Sequence, residues 1–471
     1  MSLRKLLTLG IVLLSVGALF IGCSAGKSYD VVVVGAGGAG LSAAIEAADA
    51  GAKVAVLEKL PMVGGSTVVS GGYVYGTGSA AMQKLGIKDS VEDLVKYWSD
   101  RAEGKADTAK LQYVAEKSGA TIDWLVGLGV QFKDPSPAGT SPVRRAHQTP
   151  DGGAGLVKPL KAAADAKKVE FFMETSATKL LVKSGKVVGV VAKGKDGKEI
   201  TFNAKAVVLA TGGFDRNDAL MEKYAPDYKG TPTFVGAGNT GDALTMTAAV
   251  DAAVEGQGGI IGFRKVSGEA AYTTDIAGLM WMPYLSVNQE GKRFVNEASD
   301  YPVFHTALTK QTNRMSYLIF DGATYMPALD KAVEKGEAFV GDTVPALAAA
   351  AGIDANTFEA TVAAYNKAVK SGKDAEFGKT MKGLKPVSKP KFYALKVEAA
   401  SLGTMSGLKT DVDTHVLNTK GDVIPGLFAA GEVANGGFFN LEYPASGTSI
   451  QMSLTFGREA GQKAAELAKA K

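Results

Sequence analysis

The sequence predicts an α/β fold, and three neighbouring features near its start predict it. Tyr29-Asp30-Val31-Val32-Val33-Val34 is a continuous β-branched run, as expected of a parallel strand buried on both faces. Gly35-Ala36-Gly37-Gly38-Ala39-Gly40 follows at once and leads into a helical stretch from Leu41 to Gly51. A second strand, Lys53 to Leu57, then ends at Glu58, 18 residues past Gly40. Strand, glycine turn, helix, strand and terminal acid in that order form a Rossmann-type nucleotide-binding unit. Gly35 allows the tight turn, Gly37 lets a pyrophosphate approach the backbone, and Gly40 lets helix pack on strand. The free N–H groups of the helix start, at Gly38 and Ala39, suit phosphate, and Glu58 suits ribose hydroxyls.

The chain has 471 residues, room for two to four domains or one large domain with an insertion. It is 46% hydrophobic and 21% charged, which excludes wholesale disorder, a coiled coil and a polytopic membrane protein. A net charge of +4 gives no basic stripe for nucleic acid. The single cysteine, Cys23, excludes intrachain disulfides, iron–sulfur clusters, Cys-ligated zinc and a CxxCH haem site. His147, His305 and His415 are too scattered for a metal centre. Residues 1–23 read as an export signal: Arg4 and Lys5 precede an apolar run, and Leu19-Phe20-Ile21-Gly22-Cys23 resembles a bacterial lipobox. This predicts an extracytoplasmic lipoprotein held to the membrane through Cys23, with residues 24–28 as a short tether; a plain cleaved signal and an uncleaved anchor are the alternatives.

Further glycine-rich turns are scattered along the chain. Lys59 to Thr67, with Gly64, Gly65, Ser66 and Thr67, runs on to Ser70-Gly71-Gly72. Val207 to Phe214 contains Ala210, Thr211 and Gly212; Gly238 to Asp242 and Ile424 to Glu432 follow. Such wide spacing means that distant segments clasp one long, flat ligand, more than a nicotinamide dinucleotide requires.

With these motifs, residues 29–467 resemble the flavoprotein group of fumarate reductases, succinate dehydrogenases, urocanate reductases and 3-ketosteroid dehydrogenases. The resemblance implies FAD. It implies that Glu58 binds ribose, that Gly64 to Thr67 lie beside the flavin ring, that Asp242 approaches the cofactor and that Glu432 contacts the ribityl chain. Lys59, Gly71, Gly72, Ser449 and Ile450 are further cofactor-binding candidates. It also implies a Rossmann-type FAD-binding domain split into 29–259 and 402–471, with an α+β capping domain, 260–401, inserted. The Ala- and Lys-rich stretch 325–375 has helical spacing, as in Asp354 to Ser371, and Lys385 to Pro390 reads as a hinge-side loop.

The substrate side departs from the fumarate pattern. Gly291 to Glu297 matches the family's GxRFxNE stretch, behind a strand expected over Tyr284 to Asn288. Five residues beyond Asn296, where fumarate reductases carry an arginine acid and ketosteroid dehydrogenases a tyrosine, stands Tyr301. Glu442 to Ile450 resembles the ketosteroid YPxxG segment, in which Tyr443 and the Gly447 N–H would hold a substrate carbonyl oxygen. No arginine lies between Arg314 and Arg458, the HTMGG histidine is replaced in Gly403 to Gly407, and Ala277 and Met280 stand at the relay acid and arginine positions. A small dianion needs paired charge-assisted hydrogen bonds. The expectation is therefore two phenols rather than guanidinium groups, and a substrate other than fumarate.

The expected chemistry is hydride transfer to an alkene conjugated to a carbonyl, with Tyr443 and Gly447 stabilising the oxygen and Tyr301 giving the proton. A small-molecule substrate and an external electron donor (a quinol chain, a cytochrome or a flavin carrier) are the implied partners. Ketosteroid-type dehydrogenation and a flavin-bearing electron carrier are the alternatives. His305 is a relay or a cap histidine, His147 structural and His415 exposed. Tyr272, Trp281, Met282, Phe438 and Phe439 are pocket lining or core.

Overall fold

The computed structural model describes residues 26–268 and 274–470. The signal segment, the lipobox with Cys23 and Tyr272 lie outside the described residues. Strand Lys27–Val34 pairs in parallel with Val54–Leu57 on one side and Glu199–Leu209 on the other. Among the described residues these belong to an eight-stranded sheet, extended by Glu170–Phe172 and Val423–Ala429 in parallel and by antiparallel strands at its margins. Val31 and Val33 enter the core on one face, Val32 and Val34 that on the other. That is why the strand reads as a continuous apolar run rather than an alternating one. Lys27 and Ser28, expected in the tether, pair with Phe202 and Asn203 and so belong to the sheet.

Helix Gly38–Asp49 starts where the first strand ends, and helix Thr448–Lys469 lies along it. Gly461 and Gly457 permit this packing: a Cβ at either would stand 2.2 or 2.4 Å from a backbone oxygen of the facing helix.

The inserted unit is built on a five-stranded antiparallel sheet with helices Ala328–Glu334, Val344–Ala351 and Ala355–Ser371 packed around it. Asp354 caps the last of these by accepting the Thr357 N–H. Strand Leu285–Val287 lies inside the expected Tyr284–Asn288. The expected boundaries at 260 and 402 fall inside two long paired strands, Val254–Val266 and Phe392–Leu408, which run unbroken from one unit into the other. Lys385 to Pro390 is a loop tied to the inserted sheet. Asp321 accepts the N–H groups of Ser388 and Lys389 and fixes that loop to the inserted unit.

Candidate active site

Sheet topology brings the glycine turns to one edge, where they line a cleft of about 690 Å³ between the two units. Gly35 takes φ +104°, and a Cβ there would lie 2.3 Å from the Ala210 carbonyl oxygen, so only glycine joins the first strand to this turn. Gly37 behaves differently: its only neighbour within 4 Å of a Cβ is the Gly64 oxygen at 3.9 Å. The space it leaves is cleft, at the start of a helix with no side-chain cap. Glu58 accepts the N–H groups of Ala36 (2.9 Å) and Leu60 (2.8 Å), and its carboxylate is thereby fixed at the cleft wall. Thr67 Oγ1 accepts the Gly38 N–H, and Ser66 Oγ that of Gly236. The Lys59 ammonium joins Asp242 at 2.7 Å and Thr240 at 2.6 Å. Thr211 Oγ1 is buried, and the residue lines the cleft; the hydroxyl has no hydrogen-bond partner among the described residues. An empty cradle at a helix start, a fixed acid beyond it and an orphaned hydroxyl between fit a dinucleotide.

Of the expected cofactor residues, Gly35, Gly37, Gly38, Ala39, Glu58, Lys59, Gly65, Ser66, Thr67, Gly71, Ala210, Thr211, Gly212, Asp242, Glu432, Ser449 and Ile450 line this cleft. Gly40, Gly64 and Gly72 do not; they lie behind it. A Cβ on Gly40 would stand 2.0 Å from the Gly35 oxygen, Gly64 bridges to Gly37, and Gly72 packs on Thr149 and Gly152. These three shape the wall from the rear.

Glu432 is held by the Thr404 N–H at 2.9 Å and by Asn239 Nδ2 at 3.0 Å, while the same Asn239 nitrogen reaches Asp215 at 2.9 Å. Burial, reinforced by the Asp215 charge, pushes the Glu432 carboxyl up to about 8. Asn239 and Asp215 were not singled out from sequence.

The two expected tyrosines meet at the other end of the cleft. Tyr301 opens helix Tyr301–Leu308 of the inserted unit; Tyr443 belongs to the turn before helix Thr448–Lys469. Their rings stack with centroids 6.2 Å apart. Tyr301 packs against the cores of both units. Asp300 places it: one carboxylate oxygen accepts the Tyr301 N–H and the Ser446 hydroxyl, the other the N–H groups of Gly139 and Ser446. This residue was missed, although Asp before a first-turn proline is a helix-start signal. Burial first, and then the neighbouring Tyr443 and Asp300, raise the Tyr301 phenol well above its ordinary range. Burial does the same for Tyr443.

Tyr443 Oη accepts the Ser449 N–H at 2.8 Å, and the Gly447 N–H faces that same oxygen. Gly447 lines the cleft together with Tyr443. Phe234, Phe263 and Trp281 add an aromatic wall. Phe438 and Phe439 are core, packed with Trp98 and Tyr443, and Met282 is an exposed residue away from the cleft wall. Arg264, also missed, lines the cleft, contrary to the expectation of phenols alone. His147 is buried on Ser79 Oγ and the Arg145 carbonyl. His305 is buried against Gly262, and burial pulls it down to about 4. His415 is half-buried on Phe428 and Asp411 rather than exposed.

The FAD binding domain family matches residues 30–450. The chain belongs to that family. The flavoprotein is 34% identical to a fumarate reductase (cytochrome) of Shewanella frigidimarina over 94% of this chain and 78% of the relative. It is 33% identical to the urocanate reductase of Eggerthella lenta over 93% of this chain and 75% of the relative. Among solved structures, the 3-ketosteroid-Δ4-(5α)-dehydrogenase of Rhodococcus jostii RHA1 superposes with a TM-score of 0.76 at 30% identity, covering 93% of this chain and 97% of that one. The flavoprotein is an FAD-dependent oxidoreductase of carbon–carbon double bonds. FAD fits the cleft described above.

Proposed function

We propose that the flavoprotein reduces a carbon–carbon double bond conjugated to a carbonyl, on a substrate other than fumarate. The observation that carries this reading is the stacked pair of protonated phenols between the cofactor cradle and the inserted unit. When bound, FAD supplies or accepts the hydride. The Tyr443 oxygen already accepts a backbone N–H, so its own proton is available for the substrate carbonyl oxygen, where negative charge develops. Tyr301 gives its proton to the α-carbon. A phenol, even one weakened by burial, is a far stronger acid than the C–H bond it forms. The Ser446 hydroxyl, bonded to Asp300 at 2.6 Å, faces Tyr301 and offers a route for its reprotonation.

The reverse, ketosteroid-type reading needs Tyr301 as phenolate, which burial and the Asp300 charge both oppose. An electron carrier without organic substrate would have no use for the phenol pair. A panel of enones, enoates and fumarate, mixed anaerobically with the reduced flavoprotein, tests the reading. One enone or enoate reoxidises the flavin and returns as its saturated product, at least 100-fold faster than fumarate. Reduction of the oxidised flavin by a saturated ketone would establish the reverse reaction instead. Indifference to every compound would leave the carrier.

The proposal extends to location: an exported lipoprotein, anchored through Cys23, that takes electrons from a quinol chain, a cytochrome or a flavin carrier. The Arg4-Lys5 pair, the apolar run and the Gly22-Cys23 step support it. Wild-type protein then fractionates with membranes and Cys23→Ser does not. Equal fractionation of the two would refute the anchor.

A further inference from the structure

We propose that Arg264 is the specificity-determining anchor of this cleft, holding one anionic group of a flat, aromatic-bearing enoate. The inference rests on the reductase reading and names its substrate class. Arg264 lies on strand Val254–Val266, is 4% exposed and lines the cleft together with Glu297 to Tyr301. Its guanidinium covers the Phe304 ring at 4.0 Å. Nη2 makes one long contact, 3.4 Å, to the Glu297 carbonyl, and Nε and Nη1, both buried, have no partner among the described residues.

Glu297, the nearest acid, is already spent. Its Oε1 accepts Arg293 Nε and the Ser286 N–H, and its Oε2 accepts Arg293 Nη2 and Lys379 Nζ. Asp374 takes the remaining edge of Arg293 at 2.9 Å. Two buried cations and two buried carboxylates thus balance without Arg264. Its charge is left in a dry site with a carbonyl and a ring, an arrangement that is costly unless an anion completes it. Burial draws the guanidinium down to about 10, which leaves it charged at neutral pH.

The walls define the remainder of the ligand. Phe234 meets Phe263 edge-on at 5.4 Å, and Phe263 stacks with Trp281 at 6.1 Å, a surface for a planar conjugated body. A second carboxylate would find no second free guanidinium or ammonium on the cleft wall among the described residues. Lys59 is bound to Asp242, and Glu58, Glu297, Asp300 and Glu432 are the other ionisable carboxyls there. The site therefore accepts one negative charge and rejects two.

Equilibrium binding to the oxidised, FAD-loaded full chain tests this without turnover. The probes are trans-3-phenylacrylate, its neutral counterpart 4-phenylbut-3-en-2-one, and fumarate, followed by calorimetry. Wild type binds the phenylacrylate at least tenfold more tightly than the ketone or fumarate. Arg264→Gln loses at least tenfold for the acid and keeps ketone affinity within twofold, and Arg264→Lys falls between. Should Arg264→Gln not retain FAD, Arg264→Lys against wild type carries the comparison, with a selective loss for the acid expected. No measurable binding of the acid to wild type, equal loss for acid and ketone, or an unchanged acid affinity overturns the assignment. If binding discriminates as expected but no enone or enoate of the panel reoxidises the reduced protein, the reductase reading fails and the anchor stands.

Discussion

At the scale of single residues, the chemistry depends on protons kept where water is scarce. Tyr301 and Tyr443 line the cleft with Asp300, whose two oxygens are occupied by three backbone N–H groups and a hydroxyl. The Asp300 charge discourages a phenolate beside it. The pair is therefore arranged to give protons. Gly37 offers a separate residue-scale test of the cofactor cradle. An added methyl there points into open cleft with an ordinary backbone, φ −76°, so the fold should tolerate it. Gly37→Ala should leave the stability of the FAD-free protein within about 0.5 kcal/mol. Its FAD affinity, measured by flavin fluorescence, should fall at least tenfold, about 1.4 kcal/mol. An unchanged affinity would mean that the space at Gly37 is not used by the cofactor.

Both tyrosines were legible in the sequence because each stands within a motif that fixes its register. Arg264 was not. It lies in Gly259-Ile260-Ile261-Gly262-Phe263-Arg264-Lys265, a strand in which nothing local says whether an acid from elsewhere reaches it. Lys265, next along, does find one, Glu398 on the paired strand. Pairing across a sheet is a long-range fact, and an unpaired charge is visible only once every neighbour is placed. Asp215 and Asn239 escaped for the same reason: they matter through Glu432, far away in the chain.

At the scale of elements, the first strand, the glycine turn and the long helix of 355–371 were legible because period, caps and turn chemistry agree locally. The boundary between units was less so. The boundaries were expected at 260 and 402, and the chain passes between units there within paired strands Val254–Val266 and Phe392–Leu408, whose register shifts near Ile260 and Gly262. Irregular pairing there lets one ladder serve two cores. Lys385 to Pro390 reads as a hinge-side loop, and Asp321 ties it to the inserted unit. Composition reports exposure better than it reports a domain boundary.

At the scale of the whole molecule, neither unit holds the reaction alone. The cradle and Tyr443 belong to the sheet unit, Tyr301 and Arg264 to the inserted one, and Asp300 reaches across to Gly139 and Ser446. On the proposed reading, hydride and proton come to the substrate from opposite sides of this interface. The most direct test follows the reduced, FAD-loaded protein in a single anaerobic turnover with the panel compound that reoxidises wild type fastest, and compares Tyr301→Phe. The account predicts a reoxidation rate about 10²–10⁴-fold lower in the variant, with flavin content and ligand binding retained. Reoxidation by Tyr301→Phe at the wild-type rate would contradict it.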